Sequence, residues 1–153
     1  MRYAVNLAEY GQLAFNLGER TDAASSFLFT VILASAYKAG FHNLELVSGI
    51  INMLSLFAIA FFVYLCVFQI TDKIWLAYPL ALIASLHGLI SGWSITGMDT
   101  IFFTALLVAW TYFTFIANSW LSAILTIAIV LTRPEGILIL PVWFYMEWKC
   151  LKI

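Results

Sequence analysis

The longest uncharged segment of the sequence constrains the fold more than any other feature. Between Leu46 and Ile70 no side chain carries a charge, and Asn52 and Gln69 are the strongly polar exceptions. A run of this length can cross a hydrocarbon layer about 30 Å thick as a single helix. Only 10% of the 153 residues are charged, whereas soluble domains average about 25%. We therefore expect an integral membrane protein whose helices satisfy their own backbone hydrogen bonds in lipid.

Further apolar segments follow the first one at short intervals. They cover residues 74–90, 101–117, 120–132 and 137–148, the last of them only about 12 residues long and so short for a crossing. Together with the first segment they predict an all-α polytopic bundle of about five transmembrane helices over residues 44–148. The whole chain, residues 1–153, is expected to form one membrane domain.

Residues 1–43 are expected to lie beside the bundle as juxtamembrane segments. From Arg2 to about Leu17, apolar and polar residues alternate at helical spacing. This pattern predicts an amphipathic helix lying along the membrane surface, and an ordinary packed surface helix is the alternative. Residues 23–39 are apolar but short, and the sequence leaves open whether they cross the membrane.

The charge of the chain limits its partners. Its net charge is −1 at neutral pH, which argues against binding to nucleic acid. The partner that the composition predicts is the lipid bilayer itself.

Most of the polar chemistry lies in three short segments, residues 19–22, 98–99 and 133–135. Counting the helices groups Asp99 with Arg133 and Glu135 on one face of the membrane, whether or not residues 23–39 cross. Charged groups at the edge of hydrocarbon are costly, so a functional role is the first hypothesis. The planar guanidinium of Arg133 suits a phosphate. A structural ion pair between Arg133 and Glu135 at the start of a helix is the alternative.

Two motifs resemble a known family. Residues 96–100 read Thr-Gly-Met-Asp-Thr, and residues 131–136 read Leu-Thr-Arg-Pro-Glu-Gly. Together they resemble paired signatures of bacterial membrane glycosyltransferases of the GT-C superfamily. The group most similar in appearance surrounds the mycobacterial arabinofuranosyltransferases, with the protein O-mannosyltransferases and lipid A aminoarabinose transferases more distant. The N-terminal part of this chain resembles the segment that follows the family's catalytic loop. The resemblance lies in Arg2-Tyr3-Ala4, Asn6-Leu7, Phe15-Asn16 and Gly18-Glu19-Arg20.

The resemblance implies a reaction and a site. A sugar on a polyprenyl phosphate would be attacked by an acceptor hydroxyl at the extracytoplasmic face of a bacterial inner membrane. An aspartate would act as general base, and cationic groups or a divalent metal ion would stabilise the departing phosphate. On this resemblance Arg133 would contact the lipid phosphate, while Asp22, Asp99 and Glu135 would line the sugar or metal pocket. It also favours a juxtamembrane position for residues 23–39.

One departure from the family affects the expected activity. The family carries an acidic pair shortly before the segment that Arg2-Tyr3-Ala4 resembles, and this sequence has no such pair there. We therefore expect a fragment, shortened at both ends and inactive alone, and assign no catalytic residue. The alternative is a small non-enzymatic membrane subunit that packs against partner proteins. A transporter is a third possibility, but no pair of broken helices supports it.

Overall fold

The computed structural model describes residues 1–16, 26–86 and 98–150, and these residues form helices joined by short turns. No strand occurs among them, which confirms the all-α prediction. One short 3₁₀ helix, Pro134–Leu138, precedes the last α-helix. The α-helices of the described residues are α1 (Arg2–Tyr10), α2 (Phe27–Lys38), α3 (Leu44–Thr71), α4 (Ile74–Leu86), α5 (Thr100–Phe115), α6 (Ser119–Thr132) and α7 (Ile139–Cys150).

Helix α3 contains the long uncharged segment. Asn43 caps its first turn, because the side chain accepts a 3.1 Å hydrogen bond from the backbone N–H of Leu46. It ends at Asp72, whose φ of 53° is left-handed and cannot continue a helix. Its most apolar 18 residues have a mean hydropathy of 2.5, and only 17% of them are buried inside the chain. Helix α3 is thus long and apolar enough to cross a membrane, and few of its residues are fully buried inside the chain.

The other apolar helices are shorter than α3. Among the described residues, α3 is the one helix that is both long and apolar enough to cross a membrane. Helices α5 and α6 have 16 and 14 residues, or about 24 and 21 Å at the usual helical rise. They are short because Ala117, with φ at 53°, and Pro134 each interrupt the apolar run. The expected set of five spans therefore remains a prediction.

Contacts between the helices define two ends of the bundle. Asn52 of α3 reaches Met98, just before α5, while the Phe62 ring lies 5.8 Å from that of Tyr112 near the end of α5. Helices α3 and α5 are therefore parallel, with α4 returning beside α3. We call the end that holds Asp99 and Arg133 the ion-pair end. The turn end holds the α3–α4 turn at Asp72 and Lys73, the α5–α6 turn at 116–118, and the last residues of α7.

The N-terminal helix differs from its prediction. Helix α1 ends at Tyr10 rather than near Leu17, because Gly11 adopts a left-handed φ of 69° and closes the helix with a hydrogen bond to Leu7. Leu17 itself lies outside the described residues. Asn6 of this helix is buried, and its amide donates to the carbonyls of Ala14 and Phe15 at 2.8 and 3.1 Å.

Helices α1 and α2 pack against each other and against the ion-pair end. Ala4 joins a buried cluster with Phe29, Leu33, Ala34 and Leu44. This packing fits the alternative of an ordinary packed helix, and the position of α1 relative to a membrane remains a prediction. Helix α2 begins at Phe27 rather than at residue 23, and residues 17–25 lie outside the described part of the chain. At 12 residues α2 is too short to span a membrane as a straight helix.

Candidate functional site at the ion-pair end

The backbone at Arg133 is set by the proline that follows it. A residue before proline is pushed out of the helical region into an extended conformation. Accordingly α6 ends at Thr132, and Arg133 has φ −145° and ψ 141°. Pro134 opens the 3₁₀ turn, where its missing N–H costs no hydrogen bond. The Arg-Pro sequence thus turns the Arg133 side chain away from the axis of α6.

A close contact fixes the turn after Arg133. The backbone N–H of Gly136 donates to the Arg133 carbonyl at 2.9 Å, and that of Arg133 donates to the Ile129 carbonyl at 3.1 Å. A Cβ atom on Gly136 would lie 2.6 Å from the carbonyl oxygen of Ile129. Only glycine fits this approach, so Gly136 keeps the turn folded tightly over the end of α6.

Arg133 and Asp99 form an ion pair with two parallel hydrogen bonds. Arg133 Nε donates to Asp99 Oδ2 at 2.9 Å, and Arg133 Nη2 donates to Asp99 Oδ1 at 3.0 Å. The same Nη2 donates to the Thr100 hydroxyl at 2.9 Å. Such a two-point contact fixes the plane of the guanidinium as well as its position. The pair joins the start of α5 to the end of α6, 34 residues apart in the chain.

The pair is partly shielded from solvent. The Asp99 side chain is 13% exposed and that of Arg133 is 29% exposed. The guanidinium carbon lies 5.4 Å from the centre of the Phe103 ring, an arrangement that favours the cation. Among the described residues, no group accepts a hydrogen bond from the two N–H groups of Arg133 Nη1.

Two other helices hold the residues around Asp99. The buried amide of Asn52 donates to the Met98 carbonyl at 3.0 Å, which ties the residue before Asp99 to α3. Ser26, buried at the start of α2, lies close enough to help lower the pKa of Asp99. Within the described residues its hydroxyl has no hydrogen-bond partner at ordinary geometry. Helices α2, α3, α5 and α6 therefore all meet at the ion pair.

The electrostatics favour the charged forms of both partners. Burial is the largest single influence on Asp99 and would raise its pKa above the ordinary value of 3.8. The hydrogen bonds and positive charge of Arg133 together outweigh burial, so the pKa of Asp99 is lowered. The hydrogen bond to Asp99 likewise raises the pKa of Arg133, against the opposing effect of burial. The site is an ionised pair at neutral pH.

The structure brings together only part of the predicted site. It places Asp99 and Arg133 at the same end of the bundle, as the order of the helices predicted, and joins them in a direct ion pair, which the sequence did not predict. Glu135 is exposed and makes no salt bridge in the described part of the chain, although its charge is near enough to raise the pKa of Arg133. Among the described residues Asp99, and not Glu135, therefore forms the ion pair with Arg133. Asp22 lies outside the described residues.

The divalent metal ion that the resemblance implied would need several carboxylate or imidazole ligands to converge. No three His, Cys, Asp or Glu side chains converge within residues 1–16, 26–86 and 98–150. Both carboxylate oxygens of Asp99 already accept from Arg133.

A second polar cluster lies at the turn end and was missed by the sequence reading. Glu147 of α7 accepts a 2.6 Å hydrogen bond from the Ser119 hydroxyl and a 3.3 Å hydrogen bond from the Ser122 hydroxyl. The indole of Trp143 donates to Ser122 at 2.9 Å. The available signal was an acid inside an apolar run opposite two serines at helical spacing. These bonds connect α6 to α7, and we assign them a structural role.

Comparison with protein-family models, with curated proteins and with solved structures finds no match for this chain.

Proposed function

We propose that this chain is a membrane-embedded part of a polytopic glycosyltransferase that uses a polyprenyl-phosphate sugar donor. Arg133 binds the phosphate of the donor lipid, and Asp99 holds the guanidinium in place. The site faces the extracytoplasmic side of a bacterial inner membrane. Helices α3 to α7 cross or enter the bilayer together, while α1 and α2 lie beside the site.

The observation that carries this proposal is the contact between the two motifs on which the resemblance rests. The Gly-Met-Asp-Thr motif supplies Asp99 and Thr100, and the Thr-Arg-Pro-Glu-Gly motif supplies Arg133. Three hydrogen bonds of 2.9 to 3.0 Å join them. The motifs are far apart in sequence, so their meeting in one polar site supports a shared chemical role.

The geometry refines how Arg133 would act. Its Nε and Nη2 atoms are engaged by Asp99 and Thr100, so a phosphate would approach through Nη1. A guanidinium oriented before binding loses little conformational freedom when the anion arrives. It would also stabilise negative charge on the lipid phosphate as the sugar bond breaks.

A phosphate-binding measurement tests the proposal. The chain is placed in nanodiscs of phosphatidylethanolamine and phosphatidylglycerol, and the Kd is measured for a polyprenyl monophosphate and for the matching polyprenol. We expect the phosphate to bind more tightly, and Arg133→Lys to weaken its binding about tenfold, or 1.4 kcal/mol. Lysine keeps the charge but not the planar group that Asp99 orients.

The matched control is Lys73→Arg, which changes a cation at the turn end. This variant should bind the polyprenyl phosphate as the unchanged chain does. Equal Kd values for the phosphate and the alcohol would refute the proposal.

A non-enzymatic membrane subunit is the second candidate. It is favoured by the engagement of both Asp99 oxygens with Arg133, since such a pair can be wholly structural. In that case Arg133→Lys lowers the folded yield, and the unchanged chain itself binds the polyprenyl phosphate no more tightly than the polyprenol. The folded yield of each variant is therefore measured beside its Kd.

A further inference from the structure

Three tryptophans of the described residues share one end of the bundle and a high exposure. Trp75 begins α4, Trp120 begins α6 and Trp148 lies near the end of α7, all at the turn end. They are 71%, 76% and 63% exposed, whereas Trp110 in the interior is 8% exposed. An aromatic side chain of this size buries about 150–250 Å² when it is covered. Covering three such side chains with an apolar partner would therefore stabilise the chain.

Two of these tryptophans begin apolar stripes that run toward the ion-pair end. Helix α6 exposes Trp120, Ile124, Ile127 and Leu131, spaced four, three and four residues apart on one face. Helix α4 likewise exposes apolar side chains, namely Trp75, Tyr78, Leu82 and Leu86. The stripes are what hydrocarbon would contact, and the tryptophans lie where each stripe reaches its polar end.

The chemistry of the turn end matches the boundary between acyl chains and headgroups. An indole places a large ring in apolar surroundings while its N–H can donate to a phosphate or carbonyl, which is why tryptophan is enriched at membrane interfaces. Lys73 places its ammonium 5.9 Å from the Trp75 ring, where it can also reach lipid phosphates. Tyr78, one turn further along α4, is also exposed.

We propose that Trp75, Trp120 and Trp148 form an anchoring belt that binds the headgroup boundary of a phospholipid bilayer. The belt sets which end of the bundle lies at that boundary and places the Asp99–Arg133 pair toward the opposite leaflet. This inference rests on the membrane embedding in the proposed function but not on sugar chemistry or on Arg133. The partner is the phospholipid boundary, and coverage of the belt by another protein is an outcome of the test.

Depth-dependent quenching tests the belt on the full chain. The chain is reconstituted in phosphatidylethanolamine–phosphatidylglycerol vesicles that carry a nitroxide either near the headgroup or at the chain end. Trp75→Phe, Trp120→Phe and Trp148→Phe each remove one tryptophan, and the difference from the unchanged chain gives its quenching. We expect each to be quenched about twofold more by the shallow label than by the deep one.

Phe57→Trp is the matched control for depth. Phe57 lies at the middle of α3 and is 70% exposed. A tryptophan there should show the opposite order, with the chain-end label quenching more strongly. The unchanged chain carries no substitution that could impair its folding. Its total tryptophan fluorescence should be quenched more by the shallow label than by the deep one.

The outcomes separate the two proposals. If Phe57→Trp is quenched by the chain-end label while the three native tryptophans respond to neither label, the belt is covered by protein or lies in water. That result would overturn the belt and leave the membrane embedding intact. Quenching of the three tryptophans mainly by the chain-end label would also overturn it. If Phe57→Trp responds to neither label, the membrane premise of the proposed function fails as well.

Discussion

Asn52 and Met98 connect the long helix to the ion pair, through a 3.0 Å hydrogen bond from the Asn52 amide to the Met98 carbonyl. Asn52 is fully buried, at 0% exposure, and lies two turns inside a largely apolar helix. A buried amide in such a helix is stabilising where it forms a hydrogen bond that holds another segment of backbone in place. Here it fixes the residue that precedes Asp99, so α3 takes part in positioning the site.

Removing this bond should loosen the site and lower stability. Asn52→Leu keeps a similar volume but cannot donate to Met98, and the loss of one such bond costs about 0.5–1.5 kcal/mol in unfolding free energy. Denaturation by sodium dodecyl sulfate, followed by circular dichroism, measures the change. Met53→Leu, at the neighbouring exposed position, should have no effect. Equal stability of the two variants would mean that the Met98 carbonyl is held by other contacts.

Gly136→Ala should disturb the turn that carries Arg133. The added Cβ would meet the Ile129 carbonyl oxygen at 2.6 Å and carbonyl carbon at 2.8 Å, both backbone atoms that cannot rotate away. Overpacking of this kind costs about 1–3 kcal/mol, measured by the same denaturation.

Gly49→Ala provides the control for Gly136→Ala. A Cβ at Gly49 meets nothing within 4 Å, and alanine is the better helix former. This variant should be at least as stable as the unchanged chain. A neutral Gly136→Ala would show that the turn does not pack on α6 as closely as described.

The Asp99–Arg133 pair should keep its contribution to stability across the neutral range. Because the pKa of Asp99 is lowered from 3.8, the pair stabilises the folded chain above that value. This contribution is lost only as the pH falls through the lowered pKa. The stability difference between the unchanged chain and Asp99→Asn should therefore be constant from about pH 8 to about pH 5 and shrink below the ordinary value. A difference that changes steadily between those two pH values would contradict the ion pair.

The sequence predicted the all-helical class and a shared location for Asp99, Arg133 and Glu135. It did not predict the ion pair between Asp99 and Arg133. Apolar runs and helix order were sufficient to bring Asp99 and Arg133 to one end of the bundle. They could not choose between Asp99 and Glu135 as the partner of Arg133, because that choice depends on the extended backbone before Pro134. The end of α1 was misjudged because the left-handed conformation of Gly11 overrides a helical pattern of side chains. The contact of Glu147 with Ser119 depends on how α7 folds back, which periodicity does not encode.

The central claim is that Arg133 binds a lipid phosphate, and the distance between the two groups tests it most directly. Solid-state NMR can measure dephasing between the ³¹P nucleus of bound polyprenyl phosphate and the ¹⁵N nuclei of arginine side chains. The measurement uses an Arg2→Lys, Arg20→Lys chain, so that Arg133 is the remaining arginine of the sequence. We predict dephasing that corresponds to a phosphorus–nitrogen distance of about 4 Å at Nη1, as expected for a charge-assisted hydrogen bond. Bound polyprenyl phosphate without dephasing at Arg133 would contradict the claim and leave the pair with Asp99 as a purely structural contact.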